Sequence, residues 1–155
     1  MQPRLAAAAA AAVVVAFAAT GCNILTPQAT TIDYDASDGV SGSTGTVDIH
    51  NAMLIGDPDG DAFNLAVTFT NEGEATVVEV RVDDQSQQVR VSEGVTTFGF
   101  PDEEQLIFPQ TGELPFGSLR NVSFQADGAE PAGVGVQVFS TEFPDYADLA
   151  PVAGE

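Results

Sequence analysis

Apolar positions along this chain form two kinds of run. The first is continuous: residues 5–19, "LAAAAAAAVVVAFAA", hold no charge. The second kind alternates. "TVDIHNAMLIG" (46–56) sets Val47, Ile49, Met53 and Ile55 at one parity. "AFNLAVTFT" (62–70) sets Phe63, Leu65, Val67 and Phe69 against Asn64, Thr68 and Thr70. "ATVVEVRVDD" (75–84) turns Val78, Val80 and Val82 inward and Glu79 and Arg81 outward. "NVSFQAD" (121–127) alternates through Val122, Phe124 and Ala126, and "GVGVQVFSTEF" (133–143) through Val134, Val136 and Val138. A period of two marks a half-buried strand, because successive side chains leave opposite faces. Shorter strands are expected in 87–94, in 95–100 and at the end of 102–108, with a turn-rich crossover over 111–120. "GDPDGD" and "NEG" are turn signals between strands. No helical period and no internal repeat follows residue 45. The pattern predicts an all-β, antiparallel β-sandwich of about seven or eight strands, immunoglobulin-like or cupredoxin-like, with a small barrel as the alternative.

The continuous run reads differently. Arg4 precedes it, and fifteen residues fall short of the ~20 that a spanning helix needs, so it has the length of a signal-peptide apolar region. Small residues and the single cysteine follow. Ala19-Thr20-Gly21-Cys22 resembles a bacterial lipobox, in which the Cys22 thiolate takes a diacylglyceryl group and becomes the first residue after cleavage. One cysteine makes no disulfide. Each buried methylene contributes ~0.8 kcal/mol, so two or three acyl chains hold a protein firmly. The expected organisation is a signal peptide over 1–21, lipidated Cys22 and a flexible tether over 22–45, a sandwich over 46–143 and a loose tail over 144–155.

Charge narrows the partners. The net charge is −19, from 23 acidic and 4 basic residues; beyond the signal only Arg81, Arg90 and Arg120 are basic. Nucleic acid and anionic lipid headgroups require Lys or Arg to neutralise phosphates, so both are excluded. The expected partners are the membrane, reached through the N-terminal lipid on the extracytoplasmic face, and a protein of the cell envelope. The acids are spread along the chain, as a solubilising surface requires.

Three sets of residues are candidates for chemistry. Asp57, Asp59 and Asp61 in "DPDGD" alternate as in a calcium loop, but an EF-hand begun at Asp57 would need glycine and glutamate where Ala62 and Thr68 stand. A tight turn uses the same residues. His50 and Met53 are the soft metal ligands of the domain, yet three residues apart in a regular strand they point to opposite faces. A bulge would bring them together. With one histidine, no nucleophile–base pair suggests itself, so the expectation is a non-catalytic protein without a cofactor.

Residues 30–73, "TTIDYDASDGVSGSTGTVDIHNAMLIGDPDGDAFNLAVTFTNEG", resemble the LpqE-like lipoproteins of actinobacteria. In those, a lipobox leads through a Tyr- and Gly-containing segment into strands similar to "VDIHNAML" and "LAVTFTNEG". The resemblance implies a fold related to the periplasmic copper chaperones (PCuAC-type), whose copper site uses a His, a Met about ten residues on and a later His-x-Met. Here Gly60 stands ten residues after His50 and no second histidine exists. The resemblance therefore implies the fold and the address, and leaves metal handling, by a degenerate copper-chaperone site or by the acids, as the alternative function.

Overall fold

The computed structural model describes residues 3–4, 6–12, 37–110 and 116–151. Contacts divide the chain into two units, Met1–Tyr34 and Asp35–Glu155. In the first, residues 6–12 are helical. Cys22 lies outside the described residues.

The second unit is mostly β, as the alternation predicts. Its strands are β1 Val40–Thr44, β2 Val47–Gly56, β3 Ala62–Asn71, β4 Thr76–Val82, β5 Gln85–Val91, β6 Gly94–Phe98, β7 Ile107–Pro109, β8 Leu119–Ala126 and β9 Ala132–Ser140, followed by a 3₁₀ segment, Pro144–Leu149. They form one nearly closed hydrogen-bonded path, β5-β4-β8-β9-β2-β3-β6, with β1 paired to β2 and β7 to β3. β2 and β3, adjacent in the path, each share their second edge between two partners. Along β2, β1 pairs with Val47–Ala52 and β9 with Leu54–Gly56. Along β3, β7 pairs with Ala62–Asn64 and β6 with Val67–Asn71. The path curls until its two halves meet: Phe69 of β3 stands edge-on to Phe124 of β8, 5.9 Å between ring centres. Gln87 of β5, at one end of the path, donates to the carbonyl of Ile107 in β7, the short strand paired with β3.

The core follows the predicted parities for β3, β4, β8 and β9. Phe63, Leu65, Val67, Phe69, Val78, Val80, Val82, Val122, Phe124, Ala126, Val136 and Val138 are buried in one cluster, with Val134 packed against it. Burying a large apolar side chain contributes ~1.5–3 kcal/mol, so this set offsets chain entropy without a disulfide. Thr44, buried at the end of β1, donates to the Glu130 carbonyl (2.8 Å) and accepts from the Ala126 amide (3.1 Å), fixing β1 against the β8–β9 hairpin.

Four expectations are corrected. Among the described residues the strands number nine, because Val40–Thr44 lies inside the stretch assigned to the tether and pairs with β2. The arrangement is not wholly antiparallel: β9 runs parallel to β2. The stretch expected as a loose tail contains the 3₁₀ segment, whose Leu149 is buried. And β2 does not keep one parity along its length. The ladder to β3 shifts between His50 and Met53, with Asn51 at φ 52°. A bulge inserts one residue, so every side chain beyond it changes face. Ala52 and Leu54 join the main core in place of Met53 and Ile55.

Candidate functional site

The bulge at Asn51 creates the second face on which the candidate site is built. Asn is among the few side-chain-bearing residues that tolerate a left-handed φ. Its Oδ1 accepts the Gly39 amide at 3.0 Å. A Cβ on Gly39 would lie 2.4 Å from the Asn51 carbonyl carbon, so only glycine allows this approach. Beyond the bulge, Met53 and Ile55 turn away from the main core and form a second cluster with Ala66 of β3 and with Leu149, against which Phe100, Phe139 and Tyr146 pack.

Two segments cover that cluster, and one buried amide holds both. Asn64, wholly buried, donates from Nδ2 to the Gly99 carbonyl (2.8 Å) and to the Leu149 carbonyl (2.9 Å). Gln105 adds a bond from Nε2 to the Ala150 carbonyl at 3.0 Å. The 3₁₀ segment thereby lays Tyr146 against Phe139, ring centres 4.6 Å apart. The Tyr146 hydroxyl donates to Asp38 Oδ2 at 2.8 Å, connecting the end of the domain to its beginning. Burial, then the hydrogen bond to Asp38 and the charges of Asp38 and Asp145, push the Tyr146 phenol up to about 12.

Two adjacent clefts flank this tyrosine. One, of ≈ 590 Å³, lies among Phe116, Val138, Phe139 and Phe143. The other, of ≈ 510 Å³, lies among Met53, Phe100, Pro101 and Leu149, with Asp148 at its edge. Asp38, Asp145 and Tyr146 line both. Phe143 is 60% exposed although it is a large aromatic. The linings combine apolar side chains with the carboxylates of Asp38, Asp145 and Asp148, and hold no Lys, Arg or His.

The residues singled out from the sequence fall elsewhere or only touch this region. Asp57 caps its own turn: Oδ1 accepts the Asp59 amide (2.9 Å), and the Gly60 amide donates to the Asp57 carbonyl (3.0 Å). Asp57 therefore acts as a turn residue, with Asp59 inside the turn that it caps. Among the described residues, no group of three or more His, Cys, Asp or Glu is placed to hold a metal ion. His50 pairs with Thr68 across the ladder and Met53 with Ala66, and Thr68 and Ala66 share a face of β3. His50 and Met53 therefore share a face of β2, which corrects the opposite-face expectation. His50 is exposed, whereas Met53 is 5% exposed under the second cover.

Asp38, Phe143, Asp145 and Tyr146 were missed because they lie in stretches read as tether, last strand end and tail. A signal was present. Phe143, Tyr146 and Leu149 recur every three residues, the period of a 3₁₀ helix, just around Pro144.

No protein family and no curated protein matches the chain in sequence. Among solved structures, the fold is similar to the copper-bound PCuAC domain from PmoF2, with a TM-score of 0.50 and 10% identity, covering 65% of this chain and 98% of that one. At that identity the likeness is one of fold.

Proposed function

We propose that this chain is a lipid-anchored, non-catalytic binding module of the cell envelope. It is held on the extracytoplasmic face of the membrane by acylated Cys22 and binds a partner through the paired clefts beside Tyr146. The domain is a cupredoxin-like β-sandwich of the LpqE-like kind, distantly related to PCuAC domains. The observation that carries the binding role is the aromatic, carboxylate-rimmed double cleft, built from covers that the main core does not need. The lipobox Ala19–Cys22 supports the address. Two measurements test the reading. Radiolabelled palmitate should enter the wild-type chain and not Cys22→Ser, and the variant should leave the membrane fraction; unlabelled wild type refutes the anchor. Photo-crosslinkers placed at the exposed Val95, Leu119 and Phe143 should join the intact lipoprotein to an envelope protein. No adduct from any of them refutes the module.

A second reading is favoured by one observation: the bulge puts His50 and Met53 on the same face of β2. A soft metal such as copper(I) would find an imidazole and a thioether there. It would also need Met53 uncovered and a third ligand. Native mass spectrometry with copper(I) should then show one equivalent that His50→Ala removes. Unchanged copper uptake in His50→Ala refutes this reading.

A further inference from the structure

The two clefts have properties that specify the chemistry of an occupant, and the inference rests on the binding-module reading above. Both have apolar walls: Phe116, Val138, Phe139 and Phe143 on one side of Tyr146, Met53, Phe100 and Leu149 on the other. Both are edged by carboxylates, Asp38 and Asp145 shared and Asp148 on the second, with no cationic side chain in either lining. Phe143 keeps 60% of its surface exposed at the edge of the first cleft. An exposed aromatic beside unneutralised acids is the complement of a cation with an apolar stem.

Charge decides among occupants. A second copy of a chain with 23 acidic and 4 basic residues would bring like charge to a carboxylate rim. An anionic lipid surface is repelled for the same reason. A basic polypeptide is attracted, and electrostatic steering toward this surface speeds its arrival. Two subsites on either side of one ridge also suit an extended chain, whose alternate side chains leave on the same side. We propose that the clefts beside Tyr146 form a two-subsite groove for an extended, basic segment of a partner protein, Phe143 and Asp145 contacting its apolar stems and charged ends.

The test uses the full chain in non-ionic detergent and a fluorescein-labelled peptide of alternating Lys and Leu, with a Glu-for-Lys peptide as its counterpart. Fluorescence anisotropy at physiological salt should show saturable binding of the Lys peptide and none of the Glu peptide. Phe143→Ala should weaken it about tenfold, as truncation of an aromatic anchor does. Asp145→Asn should weaken it about threefold, the scale of an exposed ion pair. Both side chains sit at the surface, so circular dichroism should match wild type. Asp84→Asn, at the exposed β4–β5 turn, should bind as wild type does. If Asp84→Asn weakens binding as much as Asp145→Asn, the attraction is diffuse and the groove is refuted. If the Lys peptide does not bind, or Phe143→Ala has no effect, the groove is refuted too. Should the crosslinker at Phe143, in the cleft lining, still capture an envelope protein, only the basic-segment occupant falls; should it fail as well, the binding-module reading falls with it.

Discussion

Asn64 is the residue on which the second cover depends, and Asn64→Asp tests this with a nearly isosteric change. In the folded chain its Nδ2 faces two carbonyls, those of Gly99 and Leu149, at 2.8 and 2.9 Å, with no exposure to solvent. An amide can satisfy both because its nitrogen carries two protons. A protonated aspartic acid can donate to one of them, and an ionised carboxylate to neither. With the acid protonated, the variant loses one neutral hydrogen bond, about 1 kcal/mol. Once ionised, a carboxylate would be buried against two carbonyl oxygens, and the fold binds a proton instead. That penalty is bounded by the cost of protonating a group of ordinary pKa near 3.9 at pH 7, about 4 kcal/mol. The folded-state pKa is raised, so stability is fully present below the unfolded value and is lost as pH rises toward the folded one. Urea unfolding of both chains, followed by circular dichroism from pH 5 to pH 8, reads the difference directly. Relative to wild type, Asn64→Asp should lose about 1.4 kcal/mol per pH unit over this range until the folded pKa is reached. Hydrogen exchange at Gly99 to Phe100 and at Leu149 to Ala150 should quicken before the rest of the domain. Equal stability at pH 7, or a difference independent of pH, would show that Asn64 does not hold these two segments.

Three other outcomes follow from the same structure. Gly99→Ala should lower Tm by ~10 °C or more in a thermal scan, because a Cβ at φ +76° would lie 2.3 Å from the Leu65 carbonyl oxygen, a combined backbone and overpacking cost of ~3 kcal/mol. Thr44→Val should cost about 2 kcal/mol in urea unfolding by removing the hydroxyl bonds to Glu130 and Ala126, while Thr44→Ser keeps most of that stability. In Tyr34→Phe, Tyr146 is the remaining tyrosine, and tyrosinate absorbance should rise with a midpoint near 12 rather than near 10. Because that folded value is raised, the tyrosine's contribution is intact below pH ~10 and fades between ~10 and about 12, a loss absent from Tyr146→Phe.

The strands were legible where alternation was unbroken. β3 and β8 each keep one parity from end to end, and their inward residues fill the core as read. β2 was misread at the point where its pattern breaks. Asn51 occupies an inward parity between Ile49 and Met53, and the four residues after it, Ala52 to Ile55, are all apolar. A polar residue in phase, followed by a stretch apolar on both faces, is the trace of a bulge and of a second buried face, but periodicity alone does not distinguish it from one inward asparagine. The candidate site was illegible for a related reason. Its walls come from Asp38, Asn51, Phe100, Phe139 and Tyr146, brought together by the Gly39–Asn51 approach, the parallel β2–β9 pairing and the Asn64 bonds. Those are long-range events that no local window contains.

The parallel ladder between β2 and β9 also sets an order of events during synthesis. Leu54 meets Val138, so most of the domain separates the two partners of the contact that joins one half of the path to the other. Local pairs such as β4–β5 can close early, but the junction has no second strand until residues 138–140 have emerged from the ribosome. Contacts this distant in sequence slow folding, because loop closure is paid for before the contact returns anything. A chain whose last long strand closes the structure stays open for nearly the whole of its translation. An unfolded chain is also what an export channel accepts, so if the chain is exported as proposed above, delayed closure would prolong the interval in which translocation can compete with folding.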